Sequence, residues 1–413
     1  MSKDVLVGYK LTEVGMIPED WEAKTIGEIV TFSGGSQPPR STFIFKYREG
    51  YIRLIQIRDY KTDDFITYIP KDLARKCCSV DDVMIGRYGP PIFQILRGIE
   101  GAYNVALIKT VLSQKVDLNY WYYYVQQERL FCLIEGLSQR SSGQTGIDMP
   151  SLKAFRFPLP PLPEQEAIAR VLSDTDALIT SLDKLIAKKR DIKQAAMQQL
   201  LEKKDSWILK SFGDAFNFSG GYTASRDQLS TNGFCYLHYG DIHGSKKTFI
   251  DVAKEFDEIP KLQVNLRKVS SKSLLNDGDV CFVDASEDDE GTSRHVVIKN
   301  SHNITYISGL HTIVAKSKDN LLNNEYKRFC FQSSLVKNQF KFFAVGTKVS
   351  GISKTNIAKI NIFIPSIEEQ QVIAKVLSDM DSEISALEQR RDKTKALKQA
   401  MMQELLTGKT RLK

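Results

Sequence analysis

One segment of this chain occurs twice. The sequence EQEAIARVLSDTD runs from Glu164 to Asp176, and EQQVIAKVLSDMD runs from Glu369 to Asp381. The two copies align without a gap from Leu162 to Leu201 and from Ile367 to Leu406, and about half of the aligned positions are identical. A repeat with a period of half the chain constrains the architecture before any local pattern is considered. The chain is therefore predicted to be an internal duplication.

Each copy predicts a long helix. The copies are preceded by proline-ended, strand-like runs, FRFPLPPLP from Phe155 and INIFIPSI from Ile360. Proline does not continue a central strand but suits the turn into a helix. Glu164 and Glu369 then lie in a first helical turn, where a negative charge meets the positive end of the helix dipole. Helices are predicted to begin at these two places.

Both copies carry apolar residues at alternating spacings of three and four, which is typical of a helix that packs along one face. A helix of this length, about 60 Å, needs a partner, and the other copy is the obvious one. Arg390 and Arg391 stand where the first copy has Leu185 and Ile186. Either the apolar stripe shifts there and the arginine stems cover apolar surface, or that turn faces another protein.

Similarity continues outside the helices. DWEAKTIGEIVTFSGG, from Asp20 to Gly35, resembles SWILKSFGDAFNFSGG, from Ser206 to Gly221, whereas the sequences between such anchors differ. The predicted fold class is α+β, with two globular domains of mixed strands and helices and two long helices packed as an antiparallel coiled coil with near-circular, pseudo-two-fold symmetry. The predicted boundaries are 1–160 and 205–365 for the variable domains and 161–204 and 366–413 for the conserved helical regions.

Several kinds of chemistry have no motif in the sequence. There is no phosphate-binding loop, dinucleotide fingerprint, G-x-S-x-G elbow, H-E-x-x-H pair or amino-methyltransferase N-P-P-[YF]. The FSGG repeats are interpreted as turns between strands. All five histidines lie in the second half without the spacing of a metal site, so polar readout or interior positions are the cheaper interpretation. YWYYYVQQ from Tyr120 and its counterpart EYKRFCFQ are predicted to be packing helices.

Charge and hydropathy bound the environment of the chain. A net charge of +7 is compatible with a polyanionic partner. No stretch of apolar residues approaches the length needed to span a bilayer, and the N-terminus has no signal-peptide core. A cytoplasmic location is expected.

The variable domains contain short strands that end in polar or basic residues, such as YIRLIQIRD from Tyr51. Arginine and glutamine make bidentate contacts to guanine and adenine edges, and nearby tyrosine, serine and lysine side chains can hold phosphates. For Arg53 and Arg58, base contact and a surface ion pair are equally compatible with the sequence. The candidate DNA contacts in the first half are Ser36, Gln37, Arg40, Arg53, Gln56, Arg58, Arg87, Tyr88, Gln144 and Thr145. Those in the second half are Tyr222, Thr223, Arg226, His238, Tyr239, Ser286, Arg294, Lys348 and Lys354.

Together these features resemble the specificity subunit of type I restriction-modification systems. The resemblance covers essentially the whole chain and is carried by PLPPLPEQ and IPSIEEQ, each followed by the pattern IAxVLSD, and by the opening GMIPEDWE from Gly15. It implies a DNA-binding protein without catalysis of its own. Each variable domain would read one half of a bipartite, asymmetric target, and the helices would fix the spacer between the halves.

The resemblance also implies partners. Two methyltransferase subunits would bind S-adenosylmethionine and methylate the N6 atom of an adenine in each half-site, and two restriction endonuclease subunits would join for cleavage. No cofactor or metal is expected on this chain. The residues expected to face partner subunits are Glu164, Gln165, Glu369, Gln370, Arg390 and Arg391. The competing hypotheses are a self-sufficient DNA methyltransferase and a coiled-coil scaffold that does not read DNA.

Overall fold

The computed structural model of the chain describes residues 7–89, 91–138, 146–243, 247–286, 293–346 and 350–412. These residues form two compact units, and each unit is described on its own. The first unit comprises residues 1–183 and 389–413, and the second comprises residues 184–388. The mixed α+β composition and the division into two domains that the sequence predicts are confirmed.

The elements that precede the first long helix belong to the first unit. Its strands are β1 (Tyr9–Thr12), β2 (Gly15–Pro18), β3 (Glu22–Thr25), β4 (Val30–Gly34), β5 (Tyr51–Ile55), β6 (Tyr68–Pro70), β7 (Cys77–Cys78), β8 (Met84–Gly86), β9 (Gln94–Leu96), β10 (Gly101–Tyr103), β11 (Leu107–Leu112) and β12 (Arg156–Leu159). Its short helices are α1 (Ile26–Ile29), α2 (Leu118–Tyr124), α3 (Glu128–Ser138) and α4 (Met149–Ala154).

Two four-stranded sheets organise the first unit, in the orders β6-β5-β10-β7 and β4-β11-β8-β9. Strands β5 and β10 are parallel, and the strand pairs within the second sheet are antiparallel. Strand β3 pairs with β12, which brings the residues after Trp21 beside the residues that enter the long helix. The candidate contacts near Arg53 therefore follow an interior strand of the first sheet.

The long helices are α5 (Leu162–Leu200) and α11 (Ile367–Leu405), and each contributes residues to both units. Their predicted starting points are confirmed. Two residues separate β12 from α5, and the carbonyl of Pro161 accepts the first backbone hydrogen bonds of that helix from Glu164 and Gln165. Ser366 performs the same task for α11, because its carbonyl accepts from Gln370.

The second unit contains the elements between the long helices. Its strands are β13 (Ile208–Ser211), β14 (Phe216–Gly220), β15 (Leu229–Ser230), β16 (Phe234–Leu237), β17 (Phe249–Asp251), β18 (Lys261–Leu262), β19 (Val280–Val283), β20 (Ala285–Ser286), β21 (His295–Lys299), β22 (Tyr306–Ser308), β23 (Thr312–Ser317), β24 (Ser350–Gly351) and β25 (Asn361–Ile364). Its short helices are α6 (Phe212–Ala215), α7 (Tyr239–His243), α8 (Asn324–Cys330), α9 (Ser334–Phe343) and α10 (Lys354–Ile357).

The strand scheme of the second unit resembles that of the first, with one strand added to the larger sheet, although the variable sequences differ. A five-stranded sheet has the order β14-β23-β19-β21-β17, and a four-stranded sheet has the order β15-β18-β16-β22. Strands β16 and β22 are parallel, as β5 and β10 are in the first unit, and β13 pairs with β25 as β3 pairs with β12. Duplication of the chain thus gives duplication of the fold.

The aromatic run from Tyr120 forms the packing helix that the sequence predicts. Tyr120, Trp121 and Tyr124 are buried in α2 and pack around Phe157 of β12. The hydroxyl of Tyr120 and the indole N–H of Trp121 both have hydrogen-bond acceptors within the unit. The counterpart helix α8 buries Tyr326 and Phe329 in the same way. Neither helix offers its rings as an exposed stacking platform.

The interpretation of the FSGG repeats as turns is wrong in part. Residues up to Gly34 and Gly220 belong to strands β4 and β14. The second glycine of each pair instead lies against a neighbouring chain segment. A Cβ atom on Gly35 would lie 1.9 Å from the carbonyl oxygen of Asn104, and one on Gly221 would lie 1.8 Å from that of Gly309. Close approach of the backbone explains why glycine recurs there.

Candidate nucleic-acid interface

Arg53 is engaged in ion pairs within the first unit. Its guanidinium lies 2.9 Å from Asp63 and 3.9 Å from Asp59, and its side chain is mostly buried. Burial raises the pKa of Asp59, whereas the N–H of Gln56 and the charge of Arg53 lower it. Of the two interpretations that the sequence left open, the ion pair describes Arg53. This residue fixes the turn after β5 and does not present a free guanidinium.

Gln56 also has an internal partner, because its side-chain amide donates to the hydroxyl of Thr67 at 3.3 Å. Arg58 follows it in the chain and is exposed, with its guanidinium 5.0 Å from the ring centroid of Phe65. Arg87 lies 5.3 Å from the ring of Tyr88 in a similar arrangement. Stacked arginine and aromatic side chains can meet both a phosphate and a base.

The predicted residues after β4 lie along the surface of the first unit. The N–H of Ser36 donates to the carbonyl of Tyr103, and Gln37 and Arg40 are exposed. Arg40 opens a short 3-10 turn, Arg40–Thr42, that leads towards β5. Gln144 and Thr145 of this unit, and Lys348 of the second, lie outside the described residues.

Three candidate residues of the second unit lie together. The Arg226 guanidinium is 3.5 Å from Nδ1 of His238 and 3.3 Å from Asp241, and the rings of His238 and Tyr239 are 4.7 Å apart. Burial lowers the pKa of His238, and the nearby Asp241 charge raises it. A neutral imidazole beside an arginine and a tyrosine offers both donors and acceptors to a base edge.

Asp241, His311 and Asp284 belong to this cluster and were absent from the sequence-based candidates. His311 lies edge-on to Tyr239 with ring centroids 5.5 Å apart, and its Nδ1 is 3.3 Å from Asp284. His311 adopts a positive φ of 61°, which turns the chain between β22 and β23. The signal was present in the sequence, because His311 stands in an anchor, GLHTIVAK, that matches GAYNVALIK of the first half.

Ser286 and Arg294 converge on His243. The Ser286 hydroxyl is 3.5 Å from Nδ1 of His243, and Arg294 donates to the carbonyl of the same residue. Ser286 is buried and Arg294 is half-buried, so both support the end of α7. Tyr222 is held by a bridge to Gly309, whereas Thr223 and Lys354 are exposed.

His295 is an interior residue, in agreement with one of the two readings of the histidines. It packs between Phe282 and Phe331, and burial lowers its pKa to about 4. Within the described ranges, no group of three or more histidine, cysteine, aspartate or glutamate side chains is arranged to hold a metal ion.

The expectation that Gln165 and Gln370 face a partner is corrected by the structure. Both side chains are 0% exposed. Gln165 accepts from the N–H of Asp117 and donates to the carbonyls of Lys115 and Pro160. Gln370 makes the same three bonds, to Asn323, Leu321 and Pro365. Each glutamine ties the start of a long helix to its own domain.

Glu164 and Glu369 are also used internally. The indole N–H of Trp21 donates to Glu164 at 2.9 Å, and that of Trp207 donates to Glu369 at 3.0 Å. Arg411 adds two bonds of 2.7 Å to Glu164, which is buried. The tryptophan, glutamate and glutamine therefore make equivalent hydrogen bonds at the starts of α5 and α11, which explains why the motif occurs in both copies.

Arg391 pairs with Asp183 of α5 at 3.4 Å and with the neighbouring Asp392, and Arg390 is exposed. Of the two readings for this turn, Arg391 follows the first, because its stem lies along the helix pair of the first unit. Arg390 is the member of the predicted partner set whose charge faces solvent.

Replacing Arg411 by alanine should lower the stability of the first unit far more than replacing Lys204 by alanine lowers the stability of the second. Arg411→Ala leaves the buried Glu164 carboxylate without its cation, and we expect a loss of roughly 3 kcal/mol. Lys204→Ala removes a cation from a more exposed Glu369 and should cost about 0.5 kcal/mol. Hydrogen exchange within each unit measures both changes; equal losses in the two units would contradict this assignment.

Glu369 should also make the second unit sensitive to acid. The hydrogen bonds from Lys204 and Trp207 lower its pKa, against the effect of desolvation. A carboxylate with a lowered pKa stabilises the fold above its unfolded pKa, and this contribution is lost as the pH falls through the folded value. Glu369→Gln should therefore be less stable than the parent at pH 7, and the difference, measured by urea unfolding, should shrink as the pH falls below the unfolded pKa of the carboxyl group. A pH-independent difference would contradict this linkage.

Comparison with known proteins places these observations in a family. The model of the type I restriction modification DNA specificity domain matches residues 18–192 and again residues 204–397. Among curated proteins, the chain is 22% identical to the type I restriction enzyme MjaVIII specificity subunit of Methanocaldococcus jannaschii over 96% of this chain and 94% of that protein. It is 29% identical to the MjaIX specificity subunit of the same organism over 43% of this chain and 42% of that protein.

Two solved structures share the fold. The S subunit of a type I restriction-modification system from M. genitalium has a TM-score of 0.54 at 16% identity, with 96% of this chain and 97% of that chain covered. A structure described as the basis of complex assembly and conformational transition of the type I R-M system has a TM-score of 0.57 at 13% identity, covering 95% and 99%.

The duplicated fold and its two polar surfaces define a two-domain recognition protein. This chain belongs to the family of type I restriction-modification DNA specificity subunits, which are not the catalytic components of their systems. Within the described residues, no helix is long and apolar enough to cross a membrane.

Proposed function

We propose that this chain reads a bipartite, asymmetric DNA target, with one half-site contacted by each unit. The observation that carries this proposal is that two units share one strand scheme but present different polar side chains from it. The first unit offers Arg40, Arg58 and Arg87, and the second offers the cluster of Arg226, His238 and Tyr239. Two different surfaces on one scaffold suit two different base sequences.

The two long helices act as the spacer element in this proposal. Ion pairs within each unit support an antiparallel arrangement. In the first unit Asp176 pairs with Lys398 at 2.7 Å and Asp183 pairs with Arg391, so ascending positions on α5 meet descending positions on α11. In the second unit Lys193 pairs with Asp381 and Lys189 pairs with Glu383. A coiled coil with pseudo-two-fold symmetry would hold two half-sites about one helical turn of DNA apart.

Partner subunits supply the chemistry in this proposal. Two methyltransferase subunits carry S-adenosylmethionine and methylate one adenine in each half-site, and restriction subunits join the same assembly. The helix faces that remain exposed, including Arg390, are available for such contacts. The motif residues Gln165 and Gln370 act only indirectly, by fixing the helix starts.

Methylome sequencing tests the function. Cells that express this chain with its cognate methyltransferase should gain a bipartite N6-methyladenine motif that cells with the methyltransferase alone lack. A stable complex that yields no new motif would favour the scaffold hypothesis. Methylation by the purified chain alone would instead favour a self-sufficient methyltransferase.

Arg226→Ala should relax reading of the half-site contacted by the second unit. Loss of a base-reading arginine typically costs about 1–3 kcal/mol at one position, and the first half-site should be methylated as strictly as before. Arg267→Ala is a matched control, because Arg267 is an exposed arginine of the same unit outside the cluster. The measurement is methylation of targets with single substitutions. Equal relaxation by both variants would remove Arg226 from the base-reading set.

A further inference from the structure

The segment Arg40–Arg48 exposes two large aromatic side chains. Phe45 is 72% exposed and Tyr47 is 69% exposed, among the highest values for large apolar residues of this chain. Large aromatic side chains on a protein surface mark sites of interaction when charged or polar residues surround them. This segment, here called the aromatic loop, leads from the 3-10 turn into strand β5.

The base of the aromatic loop is fixed, so its aromatic side chains are held outwards. Ile44 forms an antiparallel bridge with Tyr68, with backbone bonds of 3.0 and 2.8 Å. Phe43 points the other way and packs against the cluster of Leu54, Ile69 and Ala102. The chain bends at Phe45 and Lys46, and Phe45 is exposed instead of packing in that cluster. Tyr47 leans edge-on against Tyr68 with ring centroids 5.7 Å apart.

The charges within the aromatic loop are all positive, and one exposed carboxylate, Glu49, follows the loop directly. Arg40, Lys46 and Arg48 lie in the aromatic loop, which contains no carboxylate. All three are exposed, and none makes an ion pair with any other residue of the described ranges. The Arg48 guanidinium rests 5.8 Å from the ring of Tyr51. Free cations beside exposed rings complement a polyanion that carries flat bases.

The described residues 221–233 of the second unit, at the equivalent place in the fold, form no such loop. The segment between β14 and β16 contains one aromatic residue, Tyr222. The next aromatic residue is Phe234, the first residue of β16. Both pack against the cluster formed by Tyr236, Leu262 and Ile307. At this place in the duplicated fold, exposed aromatic side chains therefore occur in the first unit alone, although the strands that flank the place occur in both units.

We propose that Phe45, with Tyr47 beside it, inserts against a base step of double-stranded DNA in the half-site contacted by the first unit, while Arg40, Lys46 and Arg48 bind the flanking phosphates. This inference rests on the proposed function and adds a distortion of DNA at one half-site only. Apolar wedges that partly unstack a base step are a known means of deforming DNA. Sequence preference then includes how easily that step unstacks.

The test uses the complex of the full chain with its methyltransferase and duplexes that carry the methylated motif. 2-Aminopurine replaces single bases of either half-site, except the methylated adenines. Binding of the parent complex should raise the fluorescence at one step of the first half-site. Phe45→Ala should abolish that rise and weaken binding roughly tenfold, which is ~1.4 kcal/mol, while thermal stability stays unchanged.

Phe342→Ala is the matched control, because Phe342 is an exposed phenylalanine of the second unit outside the aromatic loop. It should leave both the fluorescence and the affinity unchanged. Lys46→Gln should lower the slope of log K against log salt concentration by about one, in keeping with loss of one phosphate contact. Phe45→Trp should retain the fluorescence rise, because the indole ring can still stack.

Other results would overturn the inference. Parental affinity and fluorescence in Phe45→Ala would remove the wedge while leaving the proposed function intact. A Phe45→Ala chain that no longer assembles with the methyltransferase would identify the aromatic loop as a protein-docking surface. A parent complex that directs no methylation motif would overturn the proposed function and the wedge together.

Discussion

Replacing Gly35 by alanine should destabilise the first unit by more than about 3 kcal/mol, whereas Gly34→Ala should cost less than about 1 kcal/mol. The two glycines are adjacent, but their surroundings differ. A Cβ atom on Gly35 would lie 1.9 Å from the Asn104 carbonyl oxygen and 2.7 Å from that of Tyr103. On Gly34 it would meet no atom within 4 Å. Because backbone atoms cannot turn aside as a side chain does, β4 and the segment after β10 must separate.

Hydrogen exchange of amides in β4, β10 and β11 measures this effect directly. The duplicated position provides an independent check, since Gly221→Ala places a Cβ atom 1.8 Å from the Gly309 carbonyl oxygen in the second unit. Each variant should lose protection in its own unit. If Gly35→Ala and Gly34→Ala had similar stability, the close approach would not be the reason for the second glycine.

Replacing Gln165 by alanine should cost about 3–5 kcal/mol of the free energy of unfolding. The side chain is fully buried and its loss leaves one N–H and two carbonyl groups without their partner, together with a cavity. A buried polar group without a hydrogen bond costs about 1–3 kcal/mol. The start of α5 should then detach from the segment Lys115–Asp117 before the rest of the unit unfolds.

Gln399→Ala is the control for this substitution, because Gln399 is an exposed glutamine in a helix of the same unit. It should change stability by less than about 0.5 kcal/mol. Urea unfolding followed by hydrogen exchange compares the two variants. Gln370→Ala should repeat the Gln165→Ala result in the second unit. A small effect of Gln165→Ala would show that its hydrogen bonds are replaced by water.

The long helices and the aromatic packing helices could be predicted from sequence because each carries a repeated, local signal. Proline-ended strands, an acidic first turn and spacings of three and four residues together place the start of α5 at Leu162 and that of α11 at Ile367. Helix α2 could be predicted by comparison with its counterpart α8. The aromatic run of α2 alone also resembles a surface for base stacking, but the sequence of α8 has helical character and favours a packing helix for both. Comparison of the two copies within the chain thus gave the information that an alignment of related sequences would otherwise give.

The sites could be predicted less well because their side chains are specified by contacts distant in sequence. For Arg53 the sequence is equally compatible with a base contact and an ion pair, and the structure decides because Asp63, on the following turn, lies 2.9 Å from its guanidinium. His311 joins Tyr239 only because β16 and β22 are parallel neighbours. Neither pairing follows from a periodic pattern in the sequence. The sequences of the two variable domains differ, so comparing the two copies does not predict these contacts either.

The glutamines of the motif illustrate a further ambiguity. A polar residue that recurs at a helix start suggests a surface for a partner, yet the side chains of Gln165 and Gln370 each make three internal hydrogen bonds. The sequence signal was the same for both interpretations. A polar residue that recurs in both copies can form hydrogen bonds with backbone groups of its own domain or with a partner subunit that binds both copies. Burial decides between them, and burial follows from the tertiary structure.

The most direct test of the two-half reading replaces residues 207–364 by a second copy of residues 21–159, so that both recognition domains are the first one. Methylome sequencing with the cognate methyltransferase should then return a motif in which the first half-site occurs twice in inverted orientation and the second half-site is absent. A motif that still contains the original second half-site would contradict the assignment of one half-site to each unit. Two first half-sites in direct orientation would contradict the antiparallel arrangement of the long helices.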